Sequence, residues 1–156
     1  MPTKAKRDSK NYNKGQYLGT YQDIAKVKVP KGTKVTHIKD VIKLVRAIQD
    51  QSVEYAVAVS LLANNTVSGV RVVGIGSNQT GVIGVANVFR GAVLDGASGV
   101  IFIHNHPNGD TNPSKEDRQV TKRLSKAGEI LEVDLLDSIV VSGKKWKSVF
   151  DKKKKK

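Results

Sequence analysis

The sequence predicts an α/β (α+β) fold: a single domain with one mixed, curved β-sheet flanked by helices. Three observations point there. Runs of β-branched residues alternate along the chain with stretches of helical apolar spacing, as in a sheet with helices packed on it. The 156 residues are the size of one ordinary domain and enough to bury a real core. Hydrophobic residues make up 38% of the chain, which suits a folded globule rather than a disordered one.

Taken in order, residues 1–16 show no periodicity and are expected to form a disordered basic arm ahead of a domain over 17–150. Residues 21–29 are rich in β-branched side chains and predict a strand, closed by a turn at Pro30-Lys31-Gly32. Val41, Ile42, Leu44, Val45 and Ile48 recur at helical spacing and predict a helix near 37–51. Residues 53–63 and 66–75 read as a β-hairpin turning at Asn64-Asn65. A polar loop at Gly76–Gly81 leads to a helix near 86–97. Residues 99–103 (GVIFI) are wholly apolar, as in a short strand buried on both faces. After a loop rich in Gly, Asn, Asp and Pro, a helix should start behind Ser114 and run to about Lys126. Strands at 131–141 and 145–150 complete the domain, and 151–156 form a disordered Lys tail.

The net charge of +13 points at first to nucleic acid. Its distribution weakens that reading. Residues 1–14 carry +4 and residues 144–156 carry +7, so the stretch between them is close to neutral. Such tails either scan phosphate backbones without sequence specificity or simply keep the protein in solution. The absence of cysteine excludes disulfides and thiolate metal sites, leaving His, Asp and Glu as ligands. No apolar run approaches a membrane span, and no apolar stretch follows the basic N-terminus as in a secretory signal, so the expected location is the cytoplasm.

The chemistry concentrates in His104-Asn105-His106-Pro107 and the residues up to Asp117. In an extended chain, residues two apart project to the same side. His104 and His106 can therefore converge on one ion from the end of a rigid strand, which Pro107 terminates. Asp117 falls in the first turn of the next helix, and the Gly-containing loop can fold that turn back over the strand end. A His, His, Asp set leaves one tetrahedral position open, the arrangement of catalytic rather than structural zinc. Two plainer readings stand beside it. The histidines can be exposed loop residues. Ser114 and Asp117, at N-cap and N3, also fit a capping box. Asp110 reads as a turn residue, Glu116 as solvent-facing, and His37 as a surface residue before a helix. Gly74-Ile75-Gly76 is too little for a nucleotide fingerprint, and Gly81 is not followed by the lysine of a P-loop.

The string matches H-x-H-P-x6-S-x2-D and resembles the JAB/MPN (JAMM) metalloprotease family, in particular its RadC-like branch. HNHPNGD followed by Pro113-Ser114 and Asp117 carries the likeness, which covers roughly residues 37–143. The resemblance implies a cytidine-deaminase-like fold and a zinc hydrolase acting on peptide or isopeptide bonds, with a peptide or a ubiquitin-like modifier as substrate. It implies His104, His106 and Asp117 as zinc ligands, Glu54 as the base that activates water, and Ser114 as donor to the developing oxyanion. Glu54 is also the only acidic residue between Asp50 and Asp95, in an otherwise apolar strand with little reason to carry a carboxylate. Two departures stand out. Many RadC-like proteins carry a helix-hairpin-helix region before this domain, for which this chain has no room. Relatives also tend to read Asp-His where this chain has Asp137-Ser138. The competing expectations are a nucleic-acid-associated protein that uses the basic tails, with DNA binding or metal-dependent nuclease activity, and a metal-free scaffold, against which the complete ligand set argues.

Overall fold

A computed structural model of the chain describes residues 25–76 and 83–150. The expected basic arm (1–16), the first residues of the expected first strand (21–24), most of the loop at 76–81 and the Lys tail (151–156) lie outside the described residues.

The elements are β1 (Ala25–Val27), α1 (Ile38–Leu44), a 3-10 turn (Arg46–Ile48), β2 (Tyr55–Leu61), β3 (Val67–Ile75), α2 (Val85–Asp95), β4 (Gly99–Asn105), α3 (Lys115–Leu131), β5 (Asp134–Ser142) and β6 (Lys145–Ser148). They build one sheet in the order β1-β3-β2-β4-β5-β6. β4 pairs antiparallel with β2 and parallel with β5, the only parallel pair among the described strands. α3 is the crossover that this pair requires. The sheet is therefore mixed, as the sequence predicts, and the expected hairpin is β2–β3. Register shifts at Ala56/Val57, Ser60/Leu61 and Val100/Ile101 bend the strands locally.

Period-two alternation sends successive side chains to opposite faces and so divides the core in two. Phe102 and Val100 of β4 pack with Ala56 and Ala58 of β2 against α2 (Val88, Phe89, Ala92) and α3 (Val120, Leu124). Ile101 and Ile103 pack with Val57 and Val59 against α1 and the 3-10 turn (Val41, Val45, Ile48). Every residue of β4 is buried, which is why its sequence reads as an unbroken apolar run. β6 closes one edge, and its exposed Lys145 and Lys147 discourage further strand pairing there.

Element ends differ from the sequence reading in instructive ways. The helix expected over 37–51 tightens after Leu44, where Val45 takes φ −107°, ψ 15° and donates to Val41 O. The apolar stripe survives the change of winding, because Val45 and Ile48 still reach the core. α2 stops at Asp95 because Gly96 adopts the left-handed conformation (φ 67°). β4 runs two residues past Ile103: His104 is paired with both β2 and β5, and Asn105 with β5 alone. α3 continues five residues past Lys126 and ends with Glu132 at φ 58°. Within it Gly128 lets the returning chain approach closely: a Cβ there would sit 2.6 Å from Val133 O and 3.0 Å from Leu135 N.

Those two contacts are backbone atoms tied to β5, so they cannot move aside cheaply. Gly128→Ala gains about 1 kcal/mol of helix propensity, against about 1–3 kcal/mol of overpacking. The variant is expected to be less stable than wild type in urea or thermal unfolding; a clearly more stable variant would contradict this packing.

Candidate metal centre

The ends of β4 and β5, the start of β2 and the N-terminus of α3 meet at one end of the sheet. His104, paired with Ala56 and Val140, projects to the α2/α3 side with Phe102. His106 lies just beyond the strand, yet its backbone is held on β5. Its N–H donates to Val141 O (2.9 Å), and its carbonyl accepts from the Ser142 hydroxyl (2.7 Å). The two imidazoles point to the same side, as residues two apart in an extended chain should. Their Nε2 atoms are 3.2 Å apart.

Asp117 closes the set. Its Oδ1 lies 2.9 Å from His104 Nε2 and its Oδ2 lies 3.0 Å from His106 Nε2. The capping box expected as an alternative is present as well. Ser114 Oγ accepts from Asp117 N (3.0 Å), and Ser114 N donates to Asp117 Oδ2 (2.8 Å). The two readings are therefore both realised in one side chain. His104 and Asp117 are each 2% exposed, which removes the exposed-loop alternative for the first histidine. His106 is partly buried.

The donor chemistry fits a metal ion. His106 Nδ1 is 2.7 Å from Asp110 O, a carbonyl that can only accept, so Nδ1 carries the hydrogen and Nε2 keeps its lone pair. The expected turn role of Asp110 also holds, since its carboxylate accepts from Asn112 N (2.9 Å). Tetrahedral coordination at the usual Zn–N and Zn–O lengths separates ligand atoms by about 3.3 Å, close to the spacings found here. Among the described residues, Glu54 Oε2 is a buried acceptor without a hydrogen-bond donor, and Asp117 Oδ1 faces only the His104 ring nitrogen. The three residues are also the group whose ligand atoms could hold a metal ion among the described residues.

Electrostatics agrees with this geometry. Burial works against the ionised form of Asp117. The contacts with His104 and His106 and the Ser114 N–H outweigh it and hold the carboxyl well below the usual range. His106 is raised above its ordinary value, chiefly by Asp117. Burial opposes the shift, while the Asp110 carbonyl and the Glu54 carboxylate assist it.

Glu54 sits immediately before β2, two residues ahead of Ala56, the partner of His104. Its influence on His106 places its carboxylate within Coulomb range of the ring. Ser114 is exposed at the N-cap of α3. All five predicted site residues thus lie at this end of the sheet. Ser138, where relatives tend to carry His, is fully buried. Its hydroxyl meets Thr121 Oγ1 at 2.8 Å, joining β5 to the helix that carries Asp117. Sequence reasoning passed over Asn105, Ser142 and Thr121. The signal for Asn105 was available: a polar residue at the end of a wholly apolar strand. His37 is exposed ahead of α1, as expected.

A mixed α/β domain with a His-His-Asp cluster at the strand ends is the arrangement of a JAB-type domain. Comparison with known proteins agrees: residues 35–155 match the RadC-like JAB domain, and the chain belongs to that family. It is 34% identical over 119 residues to a UPF0758 protein of Chlorobaculum tepidum, a match covering 76% of this chain and 54% of the relative. It is 39% identical over 108 residues to one from Caldanaerobacter subterraneus, covering 69% and 46%. A Thermotoga maritima relative is 53% identical over 68 residues, covering 44% and 31%. The chain spans about half the length of the first two of these relatives. Among the described residues, no helix is long and apolar enough to cross a membrane.

The pKa shifts set the pH dependence of this cluster. The raised His106 contributes stability that is present below its ordinary value of 6.5 and lost as pH rises through the raised one. The lowered Asp117 contributes stability that is present above its ordinary value of 3.8 and lost as pH falls through the lowered one. Metal runs the other way at His106, because protons compete for the ligand nitrogen. The difference in Tm between zinc-loaded and chelator-treated protein should therefore widen from about pH 6 to about pH 8. A constant or shrinking difference, or zinc stoichiometry unchanged in Asp117→Ala, would speak against this ligand set.

Proposed function

We propose that this protein is a zinc-dependent hydrolase of a peptide or isopeptide bond. The observation that carries the reading is the convergence of His104, His106 and Asp117, with the Glu54 carboxylate acting electrostatically on His106. Zinc held by those three residues would supply Lewis acidity, polarising the scissile carbonyl and acidifying water.

The remaining work falls to the chain. Glu54 takes the proton from the attacking water and returns it to the leaving amine, so one carboxylate serves as base and then as acid. Its Oε2 has no hydrogen-bond donor among the described residues, which supports that exchange. Ser114 Oγ spends a lone pair on the Asp117 N–H, which leaves its own hydrogen to donate outward to the developing oxyanion. The depressed pKa of Asp117 keeps it anionic through the cycle. Its second oxygen contact, to Ser114 N, fixes the rotamer in which it faces the imidazoles.

The test is to incubate the zinc-loaded full chain with a blocked decapeptide library and with ubiquitin-like isopeptide conjugates, reading cleavage by mass spectrometry. Glu54→Gln should lower kcat by about 10²–10⁴-fold, the usual worth of a positioned base, and retain zinc. Equal cleavage by Glu54→Gln, or by zinc-free protein, would overturn the assignment. Ser114→Ala should lose about 10²–10³-fold in rate and about 1 kcal/mol of stability with its cap. The charge concentrated in 1–14 and 144–156 favours a second reading, non-specific nucleic-acid contact. Binding to a DNA duplex should then fall steeply with salt and vanish when both tails are removed; unchanged affinity without them would rule it out.

A further inference from the structure

Between the two imidazoles stands Asn105, which alternation turns away from them to the α1 side of the sheet, beside Ile103. It is 0% exposed. Burying a primary amide is costly unless its donors and acceptor are matched. Here they are matched by backbone, all of it some fifty residues upstream. Oδ1 accepts from Tyr55 N at 2.6 Å. Nδ2 donates to Val53 O at 2.9 Å and to Gln51 O at 3.4 Å.

The reason for this lies in the sheet. The β2–β4 ladder ends at the pair Ala56↔His104. Beyond it the β4 backbone turns to β5, since His106 N donates to Val141 O. The Asn105 side-chain amide stands in for the peptide that has left, and extends the pairing by one more step. The residue enclosed by that extension is Glu54. The carbonyl before it and the amide after it are both held by Asn105, and its own carbonyl accepts from Gly76 N (2.9 Å). Residues 51–54 belong to no helix or strand, so little else orients them.

We infer that Asn105 is a positioning residue for Glu54: it ties the segment that carries the carboxylate to the end of β4, on either side of which the two imidazoles stand. The inference rests on the proposed role of Glu54 as base. It gives the middle residue of the His-Asn-His run a function on the opposite face of the sheet from its neighbours. Asn105 touches neither the metal ligand set nor substrate, and acts only by fixing where Glu54 stands.

The experiment uses the full chain in four forms: wild type, Asn105→Ala, Asn105→Asp and Glu54→Gln, with Asn105→Ala also placed in the Glu54→Gln background. In chelator-treated protein, amide exchange at Tyr55, read by NMR, should speed up at least about tenfold in Asn105→Ala. It should rise less in Asn105→Asp, which keeps the acceptor for Tyr55 N but loses the donor to Val53 O and Gln51 O. Zinc affinity should remain within about twofold in both. Cleavage of a library-derived decapeptide should show kcat lowered by roughly 10–100-fold with KM unchanged, as for a small misplacement of a reacting group. In the Glu54→Gln background the same substitution should cost nothing further, because the two residues act as one unit.

An equal fold-loss in both backgrounds, a loss of zinc with the loss of rate, or unaltered exchange at Tyr55 would overturn the inference. So would failure of both Asn105 variants to fold, since the amide would then serve the scaffold rather than the base. Full cleavage by Glu54→Gln is a separate outcome: it removes the base assignment and the inference that rests on it. Inactivity of Glu54→Gln with an additive effect of Asn105 removes the inference alone.

Discussion

The site depends on one carboxylate that answers to two elements at once. Asp117 is the third residue of α3, where the Ser114 N–H and the helix dipole favour negative charge. It is also the group that the imidazoles of His104 and His106 both face. Capping fixes its rotamer, the rotamer fixes where the imidazoles meet it, and the helix start is thereby locked to the strand end. Moving α3 by one turn would break the cap and the ligand set together. The buried Thr121–Ser138 pair adds a second tie, one helical turn further on, between α3 and β5.

The second constraint is β4, the one strand that is buried throughout and paired on both sides. Because its side chains alternate, it serves two faces. Phe102 and His104 look toward α2 and α3, while Ile101, Ile103 and Asn105 look toward α1. Its neighbours differ in direction, β2 antiparallel and β5 parallel, and the strand changes partner at its end. His106 follows β5, and the Asn105 amide keeps hold of the start of β2. The candidate metal ligands His104 and His106 and the proposed base come from segments about fifty residues apart, and they are brought together at this change of partner.

Membership of the RadC-like JAB family places the cluster in a setting where metal chemistry is expected, and the geometry here agrees with it. In sequence, the large positive charge is concentrated in segments at the two ends, while the candidate metal site draws on two imidazoles and a carboxylate between them.

Much of this was legible in the sequence, for definable reasons. Local signals are short-ranged. The apolar run at 99–103, the His-x-His spacing and the Ser-x-x-Asp of a capping box are all set by neighbours within a turn or a pleat. Glu54 stood out because a carboxylate in an apolar strand needs a reason. What only the tertiary structure decided is which long-range partners complete those local patterns. The end of β4 could not be placed from its own residues, because His104 and Asn105 are strand residues by virtue of Ala56, Val140 and Val141. The winding change after Leu44, the continuation of α3 through Gly128 and the task of Asn105 likewise depend on backbone that arrives from elsewhere in the chain. The sequence by itself determined the ligand types and their spacing, since these follow from covalent geometry. Tertiary structure decided how one carboxylate could both cap a helix and face two imidazoles, and how a buried amide could find its partners, because both depend on pairings between segments far apart in sequence.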